Sequence, residues 1–254
     1  MKQERAFLRL TISKKAERSV RAGHPWIFGE EVTGDTESVE NGSLVDAFSE
    51  KGAYLGTGYL SKRSKIRIRL LSDNANERFG DAFYTRRLQY ALDYRKTVMG
   101  ADCENCRLIF GEADGLPGLT IDRYGDILVS QVLSVGIERV KGTLYRLLVQ
   151  LLKEDGVQVR GIFERNEVSI RSLEGLPLEK GWFTADFLPE PPSPLTEITE
   201  NGIRYAVDVE NGQKTGFFLD QKYNRLAAAK IARGKRVLDC FTHTGSFALN
   251  AAKG

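Results

Sequence analysis

The stretch Val237–Ala252, VLDCFTHTGSFALNAA, constrains the fold more than any other part of the chain. It reads as an apolar strand (Arg236–Cys240), a tight turn (Phe241–Gly245) and the start of a helix (Ser246–Ala252). In a doubly wound α/β fold the first unit of this form holds a nucleotide-like ligand. Asp239 ends the strand. Gly245 lets the backbone approach a ligand where a side chain would clash, and the helix start offers free N–H groups. Such a strand is apolar on both faces because parallel neighbours, each reached through a crossover helix, cover it. The chain supplies one such unit only. The expectation is therefore two complete domains and the opening of a third, as in a truncated form or a fragment.

The glycine pattern narrows the ligand. A dinucleotide fingerprint needs three glycines in G-x-G-x-x-G, and only Gly245 is present, with Phe241 and His243 among the other positions. A nicotinamide-dependent oxidoreductase is disfavoured for that reason. A ligand without phosphates, such as S-adenosylmethionine, asks less of the loop. A purely structural turn is the other reading of the same residues.

Charge points to a second partner. Residues 1–70 hold 13 Lys/Arg against 9 Asp/Glu, while the rest hold 24 against 25. An excess of positive charge in one part suggests an anionic partner there, or a solvated surface. In SKRSKIRIRLL (Ser61–Leu71), Lys65, Arg67 and Arg69 alternate with Ile66, Ile68 and Leu70. That period predicts a strand with one apolar and one basic face, and Lys62 and Arg63 extend the patch. In KKAERSVRAGHPWIF (Lys14–Phe28), Lys14, Lys15, Arg18 and Arg21 sit on a predicted short helix ending at Gly23. Trp26 and Phe28 follow, either to stack on unpaired bases or to enter the core.

Three domains are expected. Residues 1–72 read as short strands with Gly-rich turns and one helix, a small β-barrel or sheet. Residues 73–190 read as an α+β domain: helices over Asp81–Met99 and Ile137–Leu152, and strands over Leu108–Phe110, Leu119–Asp122, Ile127–Leu133, Gly161–Glu164 and Glu167–Arg171. The proline connector PEPPSP leads into residues 191–254: a hairpin turning at Asn201-Gly202, the Gly-rich NGQKTGFFLD (Asn211–Asp220), a helix over Gln221–Ala232, and the closing unit. The composition, 41% hydrophobic and 28% charged, is that of a globular chain and speaks against disorder, collagen or coiled coil. No uncharged run of membrane-spanning length and no apolar leader are visible, so neither a membrane span nor a secretory signal is expected. Three cysteines make no disulfide framework, which points to the cytoplasm. Cys103-x-x-Cys106 has half the spacing of a zinc site; the other half is missing, and no metal is expected. Glu112, Asp114 and Asp122 lie among turn formers, which favours a structural role over acid–base work.

Six strings then carry a family resemblance: HPWIF (His24–Phe28), GEADGLPGLTIDRYGD (Gly111–Asp126), FERNEVSIRSLEGLP (Phe163–Pro177), ENG (Glu200–Gly202), GQKTGFFLDQKYNR (Gly212–Arg225) and VLDCFTHTGSFAL (Val237–Leu249). In this order they resemble the bacterial methyltransferases that make 5-methylcytosine in 23S rRNA. The resemblance implies an N-terminal PUA RNA-binding domain, a central α+β domain and a Rossmann-like domain using S-adenosylmethionine. It implies 23S rRNA as partner, and the contacts expected from the charge pattern are Lys14, Arg18, Arg21, Lys62, Arg63, Lys65, Arg67 and Arg69. It implies a cofactor pocket lined by Asp239, Phe241, Thr244, Gly245, Ser246 and Phe247, with Lys214 and Phe218 on the other wall. Asp239 would hold the cofactor's ammonium, directly or through water. Lys214 is a pocket residue or an RNA phosphate contact, Phe218 a stacking ring or core, and Asp220 a cap for the following helix. The family's nucleophilic cysteine lies beyond this motif, and none of the three cysteines matches it. No catalytic residue is therefore expected here, and the chain alone is expected to be inactive. The family often forms homodimers, though nothing in the sequence marks an interface. An RNA-binding module without chemistry is the alternative.

Overall fold

The computed structural model describes residues 7–254. Alternating apolar residues draw the first part into β1 (Leu8–Ile12), β2 (Trp26–Phe28), β3 (Val32–Thr33), β4 (Leu44–Ser49), β5 (Tyr54–Leu60) and β6 (Ile66–Ser72). They form one six-stranded sheet in the order β2-β6-β5-β4-β1-β3, with β1 and β4 parallel and the other pairs antiparallel. The sheet curls around its own core of Leu10, Ile12, Ile27, Val45, Leu60 and Ile68. Helix α1 (Lys14–Arg21) starts where the Ser13 hydroxyl accepts the Ala16 N–H at 3.3 Å, and it buries Ala16 against that core.

The central part runs α2 (Asp81–Met99), β7 (Asn105–Phe110), β8 (Leu119–Tyr124), β9 (Ile127–Val132), α3 (Val135–Glu154), β10 (Gly161–Asn166), α4 (Ile170–Glu174) and β11 (Glu179–Phe183). The five strands order as β11-β10-β9-β8-β7. Only β9 and β10 are parallel, and α3 is the crossover that such a pair requires. Both faces of this sheet are covered. Leu119, Ile121, Leu128 and Val132 meet α2 and α3. Tyr124, Ile127, Val129 and Phe163 point the other way, onto a hairpin of β12 (Leu195–Glu200) and β13 (Ile203–Asp208) that contributes Ile198, Tyr205 and Val207. Asn201 and Gly202, both at positive φ, make the two-residue turn. Helices α5 (Lys222–Ala232) and α6 (Ser246–Lys253) pack against each other beyond the hairpin. The chain is thus mixed α/β, with a barrel-like first sheet. No helix among the described residues is long and apolar enough to cross a membrane.

Two expectations are corrected. Glu167–Arg171 is not a strand: β10 ends at Asn166, and a helical turn follows that closes on Gly175 in the left-handed conformation. A strand over Glu179–Phe183, unforeseen in the sequence, pairs with β10 instead. Arg236–Cys240 is not a strand either. No strand among the described residues pairs with it, and Val237 and Leu238 lie exposed.

The first two parts are locked together. The Tyr59 and Tyr84 hydroxyls hydrogen-bond to each other. The Trp26 indole N–H donates to Glu112 at 2.8 Å, Arg69 pairs with Glu174 at 2.8 Å, and Arg87 donates to the Leu71 carbonyl at 3.0 Å. Gly136 lets α3 lie on the Tyr59 ring: a Cβ there would sit 2.1 Å from the ring's Cγ. We expect Gly136→Ala to destabilise the protein by about 1–3 kcal/mol through overpacking. Gly142→Ala, on the same helix but with its nearest neighbour 4.0 Å away, should stabilise by about 0.5–1 kcal/mol. Chemical denaturation of the two variants checks this, and equal effects would contradict the packing.

Candidate functional site

The site is assembled on the sheet face opposite α2 and α3. At the end of β13 the Asp208 carboxylate accepts the N–H groups of Glu210 and Asn211, both at 2.9 Å, which turns the chain. Burial works to raise that carboxyl, but these donors outweigh it and leave its pKa lowered. Arg165 donates to the carbonyls of Val209 and Gly212 and fixes the loop from below. Thr215 then donates to Asp122 at 2.6 Å, and its hydroxyl lies 2.9 Å from that of Tyr124. The Phe217 N–H donates to the Tyr124 hydroxyl at 3.1 Å. Thr215 and Phe217 are buried, while Lys214 turns outward and Phe218 lies half-buried.

These two residues come together. The Lys214 ammonium lies 4.5 Å from the centre of the Phe218 ring and 3.1 Å from Asp220. Phe218 meets His243 edge-on at 5.1 Å. His243 was not among the expected site residues; its positive φ, shared with Lys214, is a turn geometry that sequence spacing does not announce. Contrary to expectation, Asp220 does not cap α5: its carboxylate is taken by Lys214 and by the Gln221 amide. Burial works to raise the Asp220 carboxyl, and those two partners hold its pKa low instead.

The turn toward α6 forms the second half. The Asp239 carboxylate accepts the Ala248 N–H at 3.3 Å and so caps α6 from a distance. Gly245 is left-handed (φ 71), with nothing closer than 3.8 Å to a Cβ placed there. Ser246 is buried, Phe247 is half-buried, and Thr244 and Cys240 are exposed. Phe241 is 99% exposed, so it packs on nothing. Between α5 and this loop runs a groove of about 590 Å³, lined by Ile231, Val237, Leu238, Asp239, Phe241 and Phe247 among others. Thus Asp239, Phe241 and Phe247 border one cavity, and Lys214 and Phe218 join the turn through His243.

A residue missed in the sequence ties the halves together. Arg225 is buried with Glu200 at 2.7 Å, donates to the Phe218 carbonyl at 2.9 Å, and stacks on Phe217 and Phe247 at 4.5 and 5.7 Å. Asn250 on α6 adds a second tie, donating to the Tyr205 hydroxyl at 3.0 Å and accepting from Asn201 at 2.9 Å.

The expected RNA contacts divide. Lys14, Arg18 and Arg21 are exposed on α1, and Arg63 and Lys65 are exposed before β6. Arg69 is a correction: it is buried against Glu174, which lies on α4 of the central part. Arg67 is half-buried, donating to the Ser61 and Lys62 carbonyls, and Lys62 pairs with Glu37 at 3.1 Å. The face expected to be wholly basic is therefore mostly spent on contacts within the protein. Trp26 and Phe28 lie half-buried and 36% exposed, respectively. Asp114 and Asp122 serve structure, each held by both arms of an arginine, Arg95 and Arg107. The Cys106 thiol is pushed up to about 12 by burial and by Cys103 beside it.

Comparison with known proteins agrees with this layout. Residues 10–73 match the model of a PUA-like domain, and residues 182–254 match that of an S-adenosylmethionine-dependent methyltransferase. The chain is 38% identical over 248 residues to the ribosomal RNA large subunit methyltransferase I of Escherichia coli O127:H6, covering 97% of this chain and 60% of that protein. The protein of the same name from Klebsiella pneumoniae subsp. pneumoniae is 39% identical over 249 residues, with 98% and 60% covered. The chain thus spans about 60% of the length of these curated relatives. Among solved structures, a candidate SAM-dependent methyltransferase from Streptococcus mutans superposes with a TM-score of 0.77 at 26% identity, over 98% of this chain and 61% of that one. A second, solved in complex with SAH, gives 0.78 at 24% over 98% and 60%, a likeness of fold.

Removing Arg225 would leave Glu200 buried and unpaired. Arg225→Ala should therefore cost about 3–5 kcal/mol. Adding Glu200→Gln to that variant should recover part of the loss, because the stranded charge is gone. Urea denaturation of the single and double variants measures both, and strict additivity would exclude the pairing.

Proposed function

We propose that the protein is an S-adenosylmethionine-dependent RNA methyltransferase that acts on 23S rRNA, at C5 of cytosine. The carrying observation is the joining, in one chain, of a PUA-like barrel with exposed cations to the Lys214–Phe218–His243 cluster and the Asp239–Gly245 turn. In this reading residues 1–72 form the RNA-binding domain, 73–190 the central domain and 191–254 a part of the methyltransferase domain.

The residues present suit S-adenosylmethionine as one wall of a pocket. The groove beside the turn is largely apolar, as the cofactor's sulfonium-flanking carbons and adenine edge require. Gly245 leaves room for backbone approach. Phe241 and Phe247 would pack on the apolar edges, with Thr244 and Ser246 at the helix start. One oxygen of Asp239 is engaged by the Ala248 N–H, and the other is available to an ammonium group. Lys214 and Phe218 would close the opposite side. When bound, the cofactor supplies an electrophilic methyl group.

The chain's own residues bind and orient. Methylation at C5 of cytosine needs a thiolate that adds to C6 and a base that removes the C5 proton. We assign that thiolate to none of Cys103, Cys106 or Cys240. Burial raises the pKa of Cys103 and Cys106, the opposite of what a nucleophile requires. The RNA contacts we propose are Lys14, Arg18, Arg21, Arg63 and Lys65, with Lys62 at the rim. A second reading, an RNA-binding module without chemistry, draws on the exposed Phe241 and the unpaired Val237–Cys240 segment.

Calorimetry with S-adenosylmethionine separates the two. Cofactor binding that Asp239→Ala weakens at least tenfold supports the enzyme. RNA binding with no heat from the cofactor leaves the module, and binding of neither overturns both readings. For the RNA contacts, changing Lys14, Arg18 and Arg21 together to Ala should weaken binding to 23S rRNA fragments. It should also lower the salt slope by about 2–3, since each phosphate contact contributes roughly 0.7–0.9. An unchanged slope would remove α1 from the interface.

A further inference from the structure

Two turns of one pattern meet on the same ring. Glycine holds every positive-φ position among the described residues except those of Asn201, Lys214 and His243. Asn201 sits in the hairpin turn, where asparagine is favoured. No hairpin explains the other two. Lys214 (φ 54) lies in Gln213–Gly216, QKTG, closed by the Gly216 N–H donating to the Gln213 carbonyl at 2.9 Å. His243 (φ 49) lies in Thr242–Gly245, THTG, closed by the Gly245 N–H donating to the Thr242 carbonyl at 2.7 Å. In each turn the left-handed residue is the first of the two central ones. Glycine commonly fills that place, because a Cβ there crowds the backbone.

Both strained residues spend their side chains on Phe218. The Lys214 ammonium lies 4.5 Å from the centre of its ring, and the His243 ring meets it edge-on at 5.1 Å. Phe218 is itself anchored. Its carbonyl accepts from the buried Arg225, and its neighbour Phe217 is buried with its N–H on the Tyr124 hydroxyl. The first turn is also held from within the protein, since Thr215 donates to Asp122. The second turn has no such hold: Thr244, the counterpart of Thr215, is exposed. Among the described residues no hydrogen bond, ion pair or second ring contact ties Phe241–Gly245 to anything outside that turn and α6. The contact between His243 and Phe218 is therefore what fixes this turn against the segment of Lys214.

We propose that His243 is a positioning residue of the cofactor pocket: its ring, docked on Phe218, holds Phe241–Gly245 in the strained form that offers Thr244 and Gly245 to S-adenosylmethionine. The inference rests on the proposed cofactor site and adds to it a residue that acts through the turn. Glycine at position 243 would take the same φ without strain, but it would leave the turn untethered. Histidine gives up that backbone ease for a wall set in advance, and a wall set in advance needs less ordering when the ligand arrives.

Calorimetry with S-adenosylmethionine on the whole chain tests this. His243→Ala keeps the strain and loses the ring, and its cofactor binding should weaken about tenfold. His243→Phe keeps a ring against Phe218 and should bind within about twofold of the parent. His243→Gly removes the strain, so its melting temperature should hold or rise, yet its binding should weaken as in His243→Ala. A purely structural contact would instead make affinity follow stability. Adding His243→Ala to Phe218→Ala should cost no further affinity, because the contact is already gone. Parent-like binding by His243→Ala or His243→Gly would overturn the positioning role and leave the cofactor site standing. A further loss in the double variant would do the same. Absence of cofactor binding by the parent chain would overturn the site, and this inference with it.

Discussion

One buried carboxylate, Asp122, orders much of what lies on the outer face of the central sheet. It sits on β8, accepts both arms of Arg107 from the edge strand β7, and accepts the Thr215 hydroxyl. A charge buried to this degree persists only where paired and hydrogen-bonded, so the three segments are held to one geometry. The neighbouring Tyr124 hydroxyl repeats the arrangement with Thr215 and with the backbone of Phe217. The Gly-rich segment before α5 is thereby pinned to a strand ninety residues away in sequence. With Thr215 and Phe217 inward, Lys214 faces solvent and Phe218 lies half-buried beside it.

Much of this was legible in the sequence, and the failures share a cause. Local apolar runs marked most strands of the barrel and of the central sheet, though not β2, β3 or β11, and Asn201-Gly202 marked the hairpin. The period-two pattern misled at Arg69. Its alternation places it opposite Ile68, as expected, but the outward face of β6 is covered by α4, so the guanidinium pairs with Glu174 and not with solvent. Glu167–Arg171 failed because its apolar spacing fits a strand, while Gly175 closes a helical turn. Arg225 gave no sequence signal at all. A buried arginine contradicts the usual preference of its residue type, and only packing decides where that exception occurs.

The barrel and the central domain form one body as far as their contacts go. A hydroxyl pair, a buried ion pair, an indole donor and a glycine under a tyrosine ring are spread along the seam, so no single hinge line crosses it. Cations on α1 and rings on β2 therefore hold a fixed bearing toward β7 and, through Asp122, toward the segment of Lys214. In the function proposed above, such rigidity would do by geometry what a flexible linker would leave to chance.

The turn of Asp239 and Gly245 is supported differently from the rest. In a doubly wound fold the strand before such a turn is held by ladder hydrogen bonds on both sides. Here Val237–Cys240 has no ladder partner among the described residues, yet α6 and the turn keep their place. The reason lies in the side chains: Arg225 stacks on Phe247, Asn250 bonds to the hairpin, and Asp239 caps α6. Helix and turn are thus anchored from the hairpin side, independently of any sheet. The apolar strand segment bears none of that load. Its exposed Val237, Leu238 and Phe241 line the groove, and the wall formed by the turn holds without their packing.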